Sequence, residues 1–355
     1  MKERFGLMMM ASLFLVSADT ALADGGLPNG GTAHKAKQAP PVQMGTSGGS
    51  LNDHSKAFCC GGTLGSAVNY NGALHILSNN HILARSGSAV VGEHTLQPGL
   101  IDSGCNGAAS NFVGTFIGNV VPLGTANVDV GLSLARTGQV AADGAILDIG
   151  VPCSMFQAPA VGLAVKKSGR TTGLTTGNII SINTSVSIQY QKGCNSGKKF
   201  VVSYANQIVT GTMSAGGDSG SLLVTDSAAP RPVGLLYAGS SSTTIYNPIQ
   251  DVANALGGSF SFVGAACGLV ESGVAAARPS DDDLGAALRI KVENENEILH
   301  HPGVLGVGVG AAENDPEEAV IVVLFESRGA APKTLPTELD GAKVRVILTD
   351  TIVAQ

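Results

Sequence analysis

The sequence predicts a mainly β protein that ends in a small α+β module, and three observations carry that expectation. Glycine supplies 48 of 355 residues, about twice the usual share, while charged residues make up only 14% and tryptophan is absent. Short β-branched runs such as Ile179-Ile180-Ser181-Ile182 and Val201-Val202-Ser203-Tyr204 are separated by Gly, Asn and Ser turns, the pattern of barrels with many strands. After about Cys267 the pattern changes to one helix-like stretch and three strand-like runs, which together suit a compact α+β unit.

The chain opens with Lys2, Glu3 and Arg4, then an apolar run from Phe5 to Val16 and the small-residue pattern Ala21-Leu22-Ala23. Residues 1–23 are therefore expected to be a secretory signal peptide, with a retained signal anchor as the alternative. The run is short for a membrane span. The mature chain is expected outside the cytoplasm, secreted or periplasmic, with no membrane association after signal removal. Residues 24–57, with Gly25-Gly26, Pro40-Pro41 and Gly48-Gly49, read as a flexible leader, and a short propeptide is the functional alternative.

Six cysteines (Cys59, Cys60, Cys105, Cys153, Cys194 and Cys267) suit an oxidising compartment. They allow about fifteen complete pairings, among which the sequence does not choose, and buried free thiols are the alternative for some. Adjacent Cys59-Cys60 lacks the C-x-x-C spacing of zinc ribbons, so no metal site and no cofactor is expected. The net charge of −6 includes no basic stripe, which argues against nucleic acid as a partner.

The segment Ser214-Ala215-Gly216-Gly217-Asp218-Ser219-Gly220-Ser221 precedes the apolar run Leu222-Leu223-Val224. A serine between an acid and glycines at the mouth of a strand has the make-up of a nucleophile loop. A hydroxyl needs a base to take its proton and donors for the developing oxyanion. Glycines permit the turn that aims successive amides at one point. A polar turn before a strand is the bland alternative. Upstream, Leu74 to Ser78 reads as a strand that breaks into a turn carrying His81, and Asp129 sits at the start of the apolar strand Val130 to Leu134. A buried acid is costly without a partner, and an imidazole N–H is a natural one. The chain order is His81, Asp129, Ser219.

These motifs resemble those of bacterial trypsin-like (chymotrypsin-fold) serine proteases over roughly residues 58–262. Cys60-Gly61-Gly62-Thr63-Leu64 resembles the strand before the family histidine, and Ser78-Asn79-Asn80-His81 stands at the histidine turn. Ser168-Gly169-Arg170-Thr171-Thr172-Gly173 resembles a hairpin early in the second barrel. Gly234 to Ser240 resembles the cleft-lining strand, and Tyr246-Asn247-Pro248-Ile249 the closing strand. The L-S-N-N-H, G-R-T-T-G-L-T-T-G and S-A-G-G-D-S-G-S set is further similar to a little-described bacterial subgroup. The resemblance implies two six-stranded antiparallel β-barrels over 58–267, meeting near 150–165. It implies hydrolysis of a polypeptide substrate, with Ser219 as nucleophile, His81 as base and Asp129 as its orienting carboxylate. Gly217 and Ser219 would supply oxyanion-hole amides. Met213 would floor the primary pocket, with ordinary core filling as the alternative, and Leu236, Tyr237, Ala238 and Gly239 would wall it. A methionine floor carries no charge, so basic specificity is not expected, and small or medium apolar side chains are expected at the cleaved position. Alternatives are a protease-fold scaffold with a silent site, a precursor that cleaves only itself, and an esterase.

The sequence departs from the family in three places. Ile82 replaces the cysteine beside the histidine in many animal members, and Lys167 and Thr176 replace cysteines that bracket the hairpin in bacterial relatives. No activation site of the Arg-Ile-Val-Gly-Gly kind precedes Cys59, so Asp218 must find a partner other than a freshly cut N-terminal amine.

Residues 268–280 read as a linker and 281–355 as the accessory module, similar to modules beside such bacterial proteases. Asp281-Asp282-Asp283 suits a helix start. The alternation in Gly306-Val307-Gly308-Val309-Gly310 reads as a closely packed strand rather than a phosphate loop, and His300-His301 as a helix end rather than a metal pair.

Overall fold

The structure is a computed structural model that describes residues 31–268, 277–327 and 335–355. The expected signal peptide and most of the expected linker lie outside these residues. Helix α1 (Gly31–Lys35) leads into the first body, built from β1 (Thr46–Ser50), β2 (Gly62–Leu64), β3 (Ser66–Tyr70) and β4 (Ala73–Ser78), then helix α2 (Asn80–Leu83), then β5 (His94–Gln97), β6 (Asn111–Val120) and β7 (Gly131–Ala135). The β3–β4 hairpin turns on Asn71 and Gly72, both at positive φ, the two-residue turn whose twist matches the flanking strands.

The leader expected to be flexible is, from residue 31 onward, part of this body. Strand β1 pairs with both β2 and β5, and Val42 and Met44 are fully buried in its core. Composition misled because the apolar content of this stretch is small, whereas its glycines serve close packing. A Cβ at Gly48 would collide with the Leu64 side chain.

The second body holds β8 (Ala164–Gly169), β9 (Gly173–Gln191), β10 (Lys199–Gly211), β11 (Leu222–Thr225), β12 (Pro232–Gly239) and β13 (Thr243–Pro248). Antiparallel pairing runs β8–β9–β10–β13–β12–β11 and back to β8, so these six strands close into a barrel. Helix α3 (Ile249–Leu256) returns the chain to the first core through Ile249 and Val252, and β14 (Phe260–Phe262) pairs with β3. The architecture is the chymotrypsin-like double β-barrel with a small additional module. A bidentate Arg170–Asp102 ion pair, with bonds of 2.5 and 2.8 Å, clasps the two bodies.

The C-terminal segment contains α4 (Asp281–His300), β15 (Val304–Ala311), β16 (Ala319–Glu326), β17 (Glu338–Leu339), β18 (Ala342–Thr349) and β19 (Val353–Ala354). Ser280 caps α4 by accepting from the Asp283 amide at 3.1 Å. Strand β15 pairs with β9, so the segment extends the sheet of the second barrel. The glycine alternation has a steric cause: a Cβ at Gly308 would strike the Thr184 and Ser181 hydroxyls, and one at Gly310 the Ile180 carbonyl. Ile298 of α4 packs on Val307, Ile321, Val323 and Phe325.

Three disulfides join Cys59–Cys105, Cys60–Cys194 and Cys153–Cys267. The second ties the tip of the β9–β10 hairpin to the first barrel. Among the described residues no helix is long and apolar enough to cross a membrane.

Candidate active site

Strand β4 ends at Ser78, where the chain turns into the single-turn helix α2, and this break presents His81 at the junction of the two barrels. Asp129 lies just before β7, the strand paired with β4, so the ladder that holds β4 to β7 sets the two side chains facing each other. His81 Nδ1 lies 2.6 Å from Asp129 Oδ2, and the His81 amide donates to Asp129 Oδ1 at 3.3 Å. Ser219 sits in the loop before β11, where the Thr63 amide donates a hydrogen bond to its carbonyl at 2.8 Å.

Asp129 is fully buried and completely supported. The Tyr190 hydroxyl donates to Oδ2 at 2.9 Å, Asn79 Nδ2 donates to the Asp129 carbonyl at 2.8 Å, and the Asp129 amide donates to Asn247 Oδ1 at 2.9 Å. Tyr190 in turn shares a 2.8 Å hydrogen bond with the Tyr204 hydroxyl. Burial pulls the His81 pKa down, but the charge and hydrogen bond of Asp129 outweigh it, helped by a bond to the Gln355 main-chain oxygen. The net result lies above the ordinary histidine value of 6.5.

Asp218, also fully buried, finds the partner that the sequence left open. Lys167 Nζ lies 3.2 Å from Asp218 Oδ2, with both side chains wholly out of solvent. Thr172 Oγ1 donates to Oδ2 at 2.6 Å, the Thr171 amide to Oδ1 at 2.7 Å and the Ala215 amide to Oδ2 at 3.1 Å. Lys167 also bonds Thr172 Oγ1 and the Gly173 carbonyl. Burial outweighs the pull of Asp218 and holds the ammonium below its usual range. Gly217 takes φ +99° and Gly220 φ +98°, values that favour glycine on both sides of the serine.

The expected pocket residues divide. Met213 is buried in the second-barrel core with Val165, Ile179, Leu223 and Leu236, and its sulfur lies 3.7 Å from the Tyr246 hydroxyl. Met213 and Leu236 are thus buried in this core, and for Met213 that is the place the core-filling alternative gives it. Tyr237, Ala238 and Gly239 do reach the cleft, and there they meet a segment that the sequence reading missed. Strand β19 pairs antiparallel with β12, Ala354 opposite Ala238 and Val353 opposite Gly239. The Gln355 amide donates to Ser219 Oγ at 3.2 Å and lies 3.3 Å from the Tyr237 carbonyl, while its main-chain oxygen lies 3.2 Å from His81 Nε2. Ser219 Oγ donates to the Tyr237 carbonyl at 2.9 Å.

Beside Gln355 and His81 lies a cavity of about 170 Å³, lined by Asp53, Arg85, Cys60 and Gly61 among others. Burial pushes the Asp53 carboxyl up to about 6, against the pull of Arg85. Asp53, Cys60 and Cys194 cluster within 4.8 Å, but the two sulfurs are joined to each other, which leaves one carboxylate as a free ligand.

A family model described as the Nal1 C-terminal domain matches residues 140–248. Curated proteins yield no match. Among solved structures, the chain is similar to a glutamic acid specific serine protease at 21% identity, covering 62% of this chain and 100% of the other with a TM-score of 0.43. It is also similar to Cellulomonas bogoriensis chymotrypsin at 22% identity, 63% and 99% coverage and TM-score 0.41. A third is Thermobifida fusca Protease A at 19% identity, 58% and 92% coverage and TM-score 0.39.

Proposed function

We propose that the protein is a serine endopeptidase that hydrolyses peptide bonds through an acyl-enzyme. The observation that carries the reading is the convergence of His81 and Ser219 on one residue, Gln355, while Asp129 holds the other side of the imidazole. In this reading Ser219 attacks the scissile carbonyl, and His81 takes the hydroxyl proton and gives it to the leaving amine. Water then releases the acyl group by the reverse path. Asp129 fixes the tautomer with Nδ1 protonated and stabilises the imidazolium. The Gly217 and Ser219 amides receive the oxyanion. The Lys167–Asp218 pair supports a loop held in place without a cut N-terminus. Three disulfides among the described residues support a mature chain outside the cytoplasm.

The test is covalent labelling by a fluorophosphonate, with Ser219→Ala and His81→Ala as controls and peptide mapping of the adduct. Labelling at Ser219 that both substitutions abolish is the expected result. A folded protein that takes no label, with the Gln355 segment in place or released, overturns the proposal.

A further inference from the structure

The segment Val353–Gln355 is seated on β12 as an extended strand, the mode in which a sheet edge captures a peptide through main-chain hydrogen bonds. Its last residue meets the reacting groups on three sides. The Gln355 amide faces the Tyr237 carbonyl and Ser219 Oγ, and the main-chain oxygen faces His81 Nε2. This is the register of the acyl half of a substrate, with Gln355 at the residue whose carbonyl would be attacked.

The side chain of Gln355 carries the selectivity argument. A Cβ on Gly239 would collide with Gln355 Nε2 and stand 3.1 Å from Ser214 Oγ, so the carboxamide lies against Gly239 with the Ser214 hydroxyl near the same point. Ser214 Oγ is itself bonded to Thr244 Oγ1 at 2.9 Å. Glycine and hydroxyl groups make this wall. Gln355 Oε1 is buried with no hydrogen-bond partner. A neutral amide oxygen tolerates that position far better than a carboxylate oxygen or an ammonium, whose burial without a counter-ion is much more costly.

Resting on the endopeptidase reading above, we propose that the cleft selects an uncharged side chain of glutamine size over a charged one on the acyl side of the cut. The chain's own Val353-Ala354-Gln355 is its intramolecular occupant. A tethered ligand acts at an effective concentration of the order of millimolar, so the tail holds back peptides added in solution.

Two released forms of the full chain, Gln355→Arg and a deletion of residues 353–355, are compared with wild type after thermal melts confirm folding. Fluorophosphonate labelling of Ser219 is expected to be at least about tenfold faster in both released forms, as expected when a site is no longer filled from within. Coumarin amides of acetyl-Val-Ala-X, with X as Gln, Glu, Lys or Leu, should show kcat/KM for Gln at least about tenfold above Glu and Lys. Equal labelling of wild type and released forms, or Glu or Lys peptides cleaved as fast as Gln, overturns the proposal. If the folded released forms neither label nor cleave, the endopeptidase reading fails instead. Calorimetric titration with acetyl-Val-Ala-Gln-amide then still decides the binding site. Binding to the deletion form that the Glu peptide does not match supports it, and no binding overturns it.

Discussion

Two fully buried carboxylates, Asp129 and Asp218, flank the candidate nucleophile, and the protein neutralises them in different ways. Asp129 faces an imidazole that gains and loses a proton, and the Tyr190 hydroxyl and the His81 amide are the neutral donors to the rest of its carboxylate. Asp218 faces an ammonium whose other hydrogen bonds end inside the hairpin of β8 and β9. The first arrangement suits a proton that moves and the second a loop that stays. Burying a charge pair is costly, so each survives only because its remaining lone pairs are satisfied.

The sharpest way to break the comparison is Asp129→Asn. It keeps the shape but reverses the hydrogen bond to Nδ1, and turnover of an activated peptide is expected to fall about 10⁴-fold, read as kcat/KM beside an unchanged melt. The matching change at the other acid acts on stability first. Lys167→Met leaves Asp218 charged and unpaired, with an expected cost of about 3–5 kcal/mol in denaturant unfolding. Combining it with Asp218→Asn should recover part of that loss, since the pair then carries no charge. No recovery in the double variant would show that Lys167 acts by packing alone.

A smaller effect concerns the pH axis. Because His81 has a folded pKa above the 6.5 of a free histidine, the folded state binds its proton more tightly than the unfolded chain does. That contribution to stability is complete below 6.5 and disappears as pH rises through the folded value. Labelling of Ser219, which needs the neutral imidazole, should therefore rise with pH through a midpoint above 6.5 in wild type. The midpoint should move down when residues 353–355 are deleted, because the Gln355 bond is among the causes of the shift. The smallest effect is expected for Tyr190→Phe. Losing one hydrogen bond to a buried carboxylate should cost about 1.5–3 kcal/mol by thermal melt. The rate loss should be much smaller than for Asp129→Asn, since Nδ1 keeps its acceptor.

Much of the site was legible because its signals are local. A strand that breaks at His81, an acid that opens an apolar strand and a glycine-flanked Ser219 each lie within a few residues of the structure that presents them. The supports were not legible in the same way. Lys167 lies 51 positions from Asp218, Tyr190 lies 61 from Asp129 and Gln355 lies 136 from Ser219. No spacing rule links residues so far apart. Lys167 stood out only as a missing cysteine, and nothing local to Tyr190 marked it.

The sequence by itself determined the mainly β class and the strand character of the glycine alternation, and the resemblance of its ordered motifs pointed to the double barrel and to His81, Asp129 and Ser219. Only the tertiary structure decided that residues 42–50 belong to the first barrel, that Met213 fills a core, and which cysteines pair. It also decided that the last strand lies in the cleft. The physical reason is that composition and periodicity report what a residue can do next to its neighbours in sequence. Burial, charge pairing and strand addition depend on surfaces that exist only after the two barrels and the C-terminal segment have come together.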